Sequence, residues 1–300
     1  MNSCDKRAFT LIELLVVIAI IALLLSILSP ALTKAKRQAQ AVICMSNVKQ
    51  WGVVFMMYAQ ANNNSFPQNY PGDGLSEYDS YWCHATMAYY NDPKIRFCPS
   101  AKKNKEIWAI VNGGGSPGWT NAYGATFMNW GPFEPADQVT PTDWWDEYPE
   151  GSYGMNEWCS NPPKYNPDGS KCTSIWGAPV NLTWRKKNMK RANNVPLFLD
   201  CKLVDGYPRD DDPPPLEPDE HNGYLNNSMK MYCMDRHNHT IDALFVDASA
   251  RRVGLKELWT LKWHPKFNTA NEWTLAGGAT RAKWNDEVNG APWMASFKDY

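Results

Sequence analysis

Phe9-Thr-Leu-Ile-Glu13 opens an apolar run that continues to Leu28, and the reading of that run decides the fold. Among its twenty residues only Thr10, Glu13 and Ser26 are polar. As a helix it covers about 30 Å, the thickness of a bilayer's hydrocarbon core. A carboxylate inside such a segment costs roughly 2.5–3.5 kcal/mol on insertion scales, so Glu13 needs a compensating partner. Lys6 and Arg7, followed by the small Ala8, precede the run.

Three arrangements share this outline. A secretory signal peptide has a basic start, an apolar stretch of about 7–15 residues and a small-residue cleavage site behind it. A plain membrane anchor has the length but no use for Glu13. The third is the prepilin leader. The segment Ala8-Phe-Thr-Leu-Ile-Glu-Leu-Leu-Val-Val-Ile-Ala-Ile-Ile-Ala22 resembles the N-terminus of type IV pilins and type II secretion pseudopilins. The resemblance implies that a prepilin peptidase cuts between Ala8 and Phe9, on the cytoplasmic side, and methylates the new amino terminus. Where the family usually has Gly, this chain has Ala8. The resemblance also implies a use for Glu13: on assembly it meets the free Phe9 amine of a neighbouring subunit. Paired burial of the two charges is tolerable where lone burial is not, which favours one axial register.

From the apolar run outward, residues 9–61 predict one long helix. Pro30 removes an N–H and crowds the preceding turn, predicting a kink or local melting there. Beyond it Lys34, Lys36, Arg37, Gln38 and Gln40 mark a polar face. Cys44, Val48, Trp51, Phe55 and Tyr58, with Ala41, Met45, Gly52 and Ala59 alongside, mark an apolar stripe at helical spacing. Asn62-Asn-Asn-Ser-Phe-Pro67 ends the helix. The expected division is a leader at 1–8, a transmembrane and assembly half at 9–29, an amphipathic half at 30–62 and a globular head at 63–300. The positive-inside rule holds Lys6 and Arg7 in the cytoplasm, so the head lies outside the inner membrane.

The 300 residues carry 30 Lys+Arg against 31 Asp+Glu, a balance that provides no field for nucleic acid. Fifteen Trp, 14 Tyr and 22 Pro indicate an aromatic, loop-rich head. There are eight cysteines, and Cys4 leaves with the leader. The expected compartment permits disulfides. Cys159 with Cys172, Cys83 with Cys98 and Cys201 with Cys233 are the pairings considered. The odd number left over implies a free thiol or a bond between chains. No C-x-x-C pair exists, which weighs against a zinc site or redox motif of that kind.

In the head, Trp82–Tyr90 predicts a short helix, and Tyr153–Asn156 and Val195–Asp200 predict strands. Thr240–Asp247 predicts a strand joined through Ala248-Ser249 to Ala250–Val253 as a hairpin. Leu255–Trp263 predicts a short amphipathic helix, followed by a tail with Trp273, Trp284 and Trp293. Cys44-Met-Ser-Asn-Val-Lys-Gln-Trp51, Phe97-Cys-Pro-Ser100 and Tyr153-Gly-Met-Asn156 resemble recurring pieces of a pseudopilin-like family of planctomycete type. Its C-terminal hallmark is His, nine residues, then Asp-Gly. Here His237 and Asp247 match, and Ala248 stands in place of the Gly. Segments 253–264 and 297–300 resemble that family's closing part.

Two constellations qualify as weak metal candidates. His237, His239 and Asp247, with Asp235, offer imidazole and carboxylate, although spacing alone does not provide the fixed geometry a metal needs. The plainer expectation is that His237 bonds Asp247 structurally. Asp210, Asp211, Asp212, Glu217, Asp219 and Glu220 form an acidic loop that calcium, taking six to eight oxygens, would suit. Pro213-Pro-Pro215 stiffens that loop, and a solvated acidic loop is the plainer expectation. No nucleophile elbow, zinc-protease helix or phosphate loop is present, so no catalytic residue and no cofactor are expected. Trp119, Trp130, Trp144 and Trp145 lie in loop-like sequence and define an alternative, a glycan-binding adhesive pilin.

The sequence therefore predicts an α+β, pilin-like chain: a long N-terminal helix packed on a small antiparallel sheet with long decorated loops. The resemblance implies a subunit of a type II secretion-like or type IV pilus-like fibre. Expected partners are copies of itself or minor pilins, the prepilin peptidase, an inner-membrane assembly platform, and lipid along residues 9–28.

Overall fold

A computed structural model describes residues 11–73, 81–101, 125–127, 129–130, 150–175, 177–220 and 227–300. The apolar run and the amphipathic stripe form a single helix, α1 (Leu11–Ala61), of 51 residues. It spans about 75 Å at 1.5 Å per residue. The local melting expected at Pro30 does not occur; the residue sits inside a continuous helix. Side-chain bonds flank the turn that loses the proline N–H. The Ser26 hydroxyl donates to the Leu23 carbonyl at 2.7 Å, and that of Thr33 donates to the Ser29 carbonyl at 2.9 Å.

The main sheet is built from β1 (Tyr153–Asn156), β4 (Pro196–Asp200), β5 (Asp205–Gly206), β6 (Thr240–Phe245) and β7 (Ala250–Gly254), in the order β5-β1-β4-β6-β7. A two-stranded ribbon, β2 (Ser174–Ile175) and β3 (Ala178–Pro179), stands apart from it. Tyr153 faces Asp200, Phe198 faces Leu244 and Ile241 faces Val253, all in antiparallel register. The sheet is not wholly antiparallel, however. β5 runs parallel to β1, with Met155 opposite Asp205. The Cys201–Val204 link passes the end of β1 and lays β5 on its far edge. That close passage requires Gly154, where a Cβ would meet the Leu203 carbonyl oxygen at 2.5 Å.

The second half of α1 lies on β4, β6 and β7. Trp51 and Phe55 enter an aromatic cluster with Trp82, Tyr90, Tyr153 and Phe198 at centroid separations of 4.9–6.3 Å. Such pairs add about 0.5–1.5 kcal/mol each beyond area burial. Tyr58 and Met45 fall at the margin of this face, while Asn47 and Val54 are buried in it. Asn47 is buried because it is bonded: its Nδ2 donates to the Phe97 carbonyl at 2.9 Å. The expected helix at Leu255–Trp263 is a tighter 3₁₀ turn, Leu255–Thr260. The tail folds back as a second aromatic cluster of Trp259, Trp273 and Trp284.

None of the three cysteine pairings considered occurs. The disulfide joins Cys44 to Cys98, and Cys83, Cys159, Cys172, Cys201 and Cys233 are buried free thiols. Burial pushes Cys83, Cys201 and Cys233 up to about 12, so they pack as small hydrophobes. The bridge belongs to a strap. Gln40 Nε2 donates to the Pro99 carbonyl and Trp51 Nε1 to that of Ile95, so α1 holds the Ile95–Pro99 segment at positions 40, 44, 47 and 51 of one face. With its ends at a sequence separation of 54, loss of the bridge costs roughly 4 kcal/mol on the chain-entropy account. Cys98→Ser is therefore expected to lower the unfolding midpoint in urea, and reduced wild-type protein should unfold alongside it. Coincident curves for the variant and the oxidised wild type would contradict this.

Candidate functional site

Two features stand out once the fold is in place. The first is the free half of α1. From Leu11 to Ala39 every residue is exposed, and the apolar side chains there include Leu11 at 81%. Soluble monomers rarely expose a contiguous apolar patch of that extent. It is one helix long and apolar enough to cross a membrane. Exposure of apolar residues continues onto the half that lies on the head, at Val42, Ile43, Val53 and Met57. One face of the second half of α1 is thus committed to the head, and the opposite face is uncovered, with Val42, Ile43, Val53 and Met57 exposed among Ser46, Lys49, Gln50 and Gln60. Glu13 sits on the exposed part in the first turn, where the helix dipole favours a negative charge. The proposed cleavage position at Ala8 and Phe9 lies outside the described residues.

The second feature is a buried polar cluster against the strap. Asp200, at the end of β4, is fully buried. Its Oδ1 accepts from Arg236 Nη1 at 2.8 Å, and its Oδ2 accepts from the Asp242 backbone N–H at 2.8 Å. Arg236, equally buried, also donates to the carbonyls of Thr126, Ser152 and Ala125. Burial by itself would raise the Asp200 carboxyl, but the charges of His237 and Arg236 outweigh it and hold the group below the ordinary carboxylate value. His237 Nε2 lies 3.4 Å from Asp200 Oδ2, 3.7 Å from Asp242 Oδ2 and 3.5 Å from Cys98 Sγ. Asp242 is pushed up to about 7, by burial first and then by the charge of Asp200.

The structure redistributes the histidine candidates. His237 does not meet Asp247: the two lie beyond opposite ends of β6, with His237 buried and Asp247 exposed in the hairpin turn. Asp247 accepts there from the Ser249 N–H and hydroxyl. His239 turns away to solvent, pairs with Asp235 at 2.9 Å and stacks on Phe297. The turn residue Ala248, which replaces the family's Gly, has φ +68°. A Cβ is strained in that region, so Ala248→Gly is expected to stabilise the head by about 0.5–1 kcal/mol, seen as a higher melting temperature. An unchanged or lower melting temperature would speak against strain at this turn.

The acidic loop is more tightly held than its composition suggests. Asp212 is buried and accepts from the backbone N–H groups of Arg209 and Met229. Asp219 accepts from Thr126, and Glu220 pairs with Lys230 at 2.8 Å. Asp210 lies 3.9 Å from His264. These carboxylates face separate partners, and among the described residues they form no group of three that converges on one point. Lys202, fully buried, anchors the loop by donating to the carbonyls of Pro218 and Glu220, and burial lowers its ammonium to about 8.

Of the aromatic glycan candidates, Trp130 is buried and donates to the Tyr153 carbonyl, which removes it from any sugar-facing surface. Trp119, Trp144 and Trp145 lie outside the described residues. Sequence reasoning missed Asp200, Arg236 and Asp242 as a cluster. The available signal was two carboxylates, Asp200 and Asp242, placed in strongly apolar strand contexts, where an ion needs a partner.

Comparison with known proteins bears on the first feature. A family described as the prokaryotic N-terminal methylation motif matches residues 4–29. The chain is 41% identical over 65 residues to the type IV wide pilus major component PilA4 of Thermus thermophilus, a match covering 22% of this chain and 49% of that protein. The chain thus spans about half the length of the curated relative it matches. No solved structure matches the chain.

Proposed function

We propose, taking as premise a type IV pilin-like chain with a prepilin-type N-terminal motif, that this protein is a structural subunit of a membrane-assembled fibre. The observation that carries the reading is the division of α1 into two faces. One is locked to the head by the strap and the aromatic cluster, and the other is exposed, apolar along the run that ends at Leu28 and carrying Val42, Ile43, Val53 and Met57 among polar residues beyond it. A lone subunit covers that surface with lipid over its first half. In a fibre, the helices of neighbouring subunits cover it instead. The interaction chemistry is burial of apolar helix surface together with neutralisation of Glu13 by a neighbour's Phe9 amine. The processing peptidase, an inner-membrane platform and copies of this chain or minor pilins are the partners this assembly requires. The head then stands on the outer side of the inner membrane. The fibre is a pilus or the shorter fibre of a type II secretion-like system.

Processing is the first requirement. Co-expression with a prepilin peptidase should yield a mature chain that starts at methylated Phe9, read by N-terminal mass spectrometry. Ala8→Trp should accumulate uncut, because the residue before the scissile bond must be small. A mature start elsewhere, or cutting of the Trp variant at Phe9, defeats this reading.

A further inference from the structure

We propose that Asp200, His237 and Asp242 bind a divalent transition-metal ion of the zinc type beneath the joint between α1 and the sheet. Their ligand atoms all lie within 4.8 Å of one another, and all three residues are buried. The spacing is longer than that of a tight charge-assisted network and close to that of an ion site. His237 Nε2 stands 3.4 Å and 3.7 Å from the two carboxylate oxygens. A charge-assisted hydrogen bond closes to about 2.7–2.9 Å. Ligands placed about 2.0–2.2 Å from a shared tetrahedral ion stand roughly 3.3–3.6 Å from each other.

Asp242 supplies an independent observation. Its side chain is fully buried, and neither carboxylate oxygen has a hydrogen-bond partner among the described residues. The Arg252 Nε at 3.7 Å is the ion-pair contact to Oδ1, and that side chain is half exposed. A carboxylate taken out of water without donors is costly, and a bound cation supplies the missing interaction. Asp200 is already oriented for the task, since Arg236 holds its Oδ1 while Oδ2 faces the imidazole. Outer hydrogen bonds of this kind fix the ligands of metal sites. One imidazole with two carboxylates suits zinc better than calcium, which takes six to eight oxygens at about 2.3–2.6 Å. Cys98 Sγ also approaches Nε2, but its engagement with Cys44 leaves the carboxylates as the anionic ligands of the oxidised chain. The ion would tie β4, β6 and the turn at His237 together directly against the strap. The site is enclosed, so its role is structural.

The test uses the full chain in detergent, kept non-reducing so that the Cys44–Cys98 bridge stays closed. Metal analysis after zinc loading should give one zinc per chain, and chelation should lower the melting temperature. Asp242→Asn, close to isosteric, should bind zinc more weakly by at least the roughly 10–100-fold that loss of an outer hydrogen bond costs. Wild-type protein loaded with cobalt should show visible bands of a low-symmetry site without sulfur-to-cobalt charge transfer, a readout that does not depend on any variant folding. Absence of stoichiometric zinc, equal affinity in Asp242→Asn, or binding that appears only on reduction would overturn the proposal. The last result would assign the ion to Cys44, Cys98 and His237.

Discussion

Glu13→Ala is expected to leave insertion into the membrane intact and to remove the chain from fibres. Insertion improves, because an ionised side chain in the apolar segment costs roughly 2.5–3.5 kcal/mol on biological scales and Ala carries no such penalty. Assembly suffers for the opposite reason. On the proposed pairing, apolar helices pack side by side in a low-dielectric setting and the carboxylate of one subunit answers the amine of the next. Removing one partner leaves the other charge buried and unanswered, at about 3–5 kcal/mol for a fully desolvated pair. Each 1.4 kcal/mol is about tenfold in an equilibrium constant, so incorporation should fall by at least about a hundredfold. The measurement is the ratio of the chain in sheared fibres to the chain in membranes, by immunoblot, in cells lacking the wild-type copy. Glu13→Gln should resemble Ala, because the charge and not the shape is at issue. Fibres of normal abundance from the Ala variant would defeat the pairing argument while leaving the membrane anchor untouched.

The second large effect concerns the head. Asp200→Ala should cost about 3–5 kcal/mol of stability, a large part of what a domain possesses. The cost arises because Arg236 stays behind. Its side chain is fully enclosed and its guanidinium donates to Asp200 and three backbone carbonyls, so it cannot follow its lost partner into water. For a head of this size the melting temperature should drop by roughly 6–20 °C. Measuring in a chelator separates this loss from any contribution of a bound ion. Arg236→Met combined with Asp200→Leu should recover much of the stability, since replacing both charges with apolar volume is often neutral. A single variant that melts within about 2 °C of wild type would show that water reaches Arg236, contrary to its burial.

The parts of the fold that were legible in sequence are those written in local pattern. The apolar run and the stripe at 44, 48, 51 and 55 specify α1, because helical period and length are properties of neighbouring residues. Tyr153–Asn156, Val195–Asp200 and the Thr240–Val253 hairpin were readable for the same reason. The resemblance islands acquired a physical meaning only in space. Cys44–Trp51 and Phe97–Ser100 are the two halves of the strap, and Tyr153 packs on the same cluster. The parallel edge strand was not legible, because it depends on a link passing over Gly154. The Cys44–Cys98 bridge was not legible either: nearness in sequence made Cys159 and Cys172 look paired, and separation in sequence carries no distance information.

Sequence alone determined that this chain carries a long, greasy, acid-bearing helix at its N-terminus, because hydrophobic periodicity and a single misplaced carboxylate are visible without coordinates. Tertiary structure alone decided which face of that helix the head claims and which it leaves uncovered. It also moved His237 away from Asp247 and into the company of Asp200 and Asp242. The reason is physical: burial and pairing of charge act between groups dozens of residues apart, and no local pattern records where the chain will bring them together.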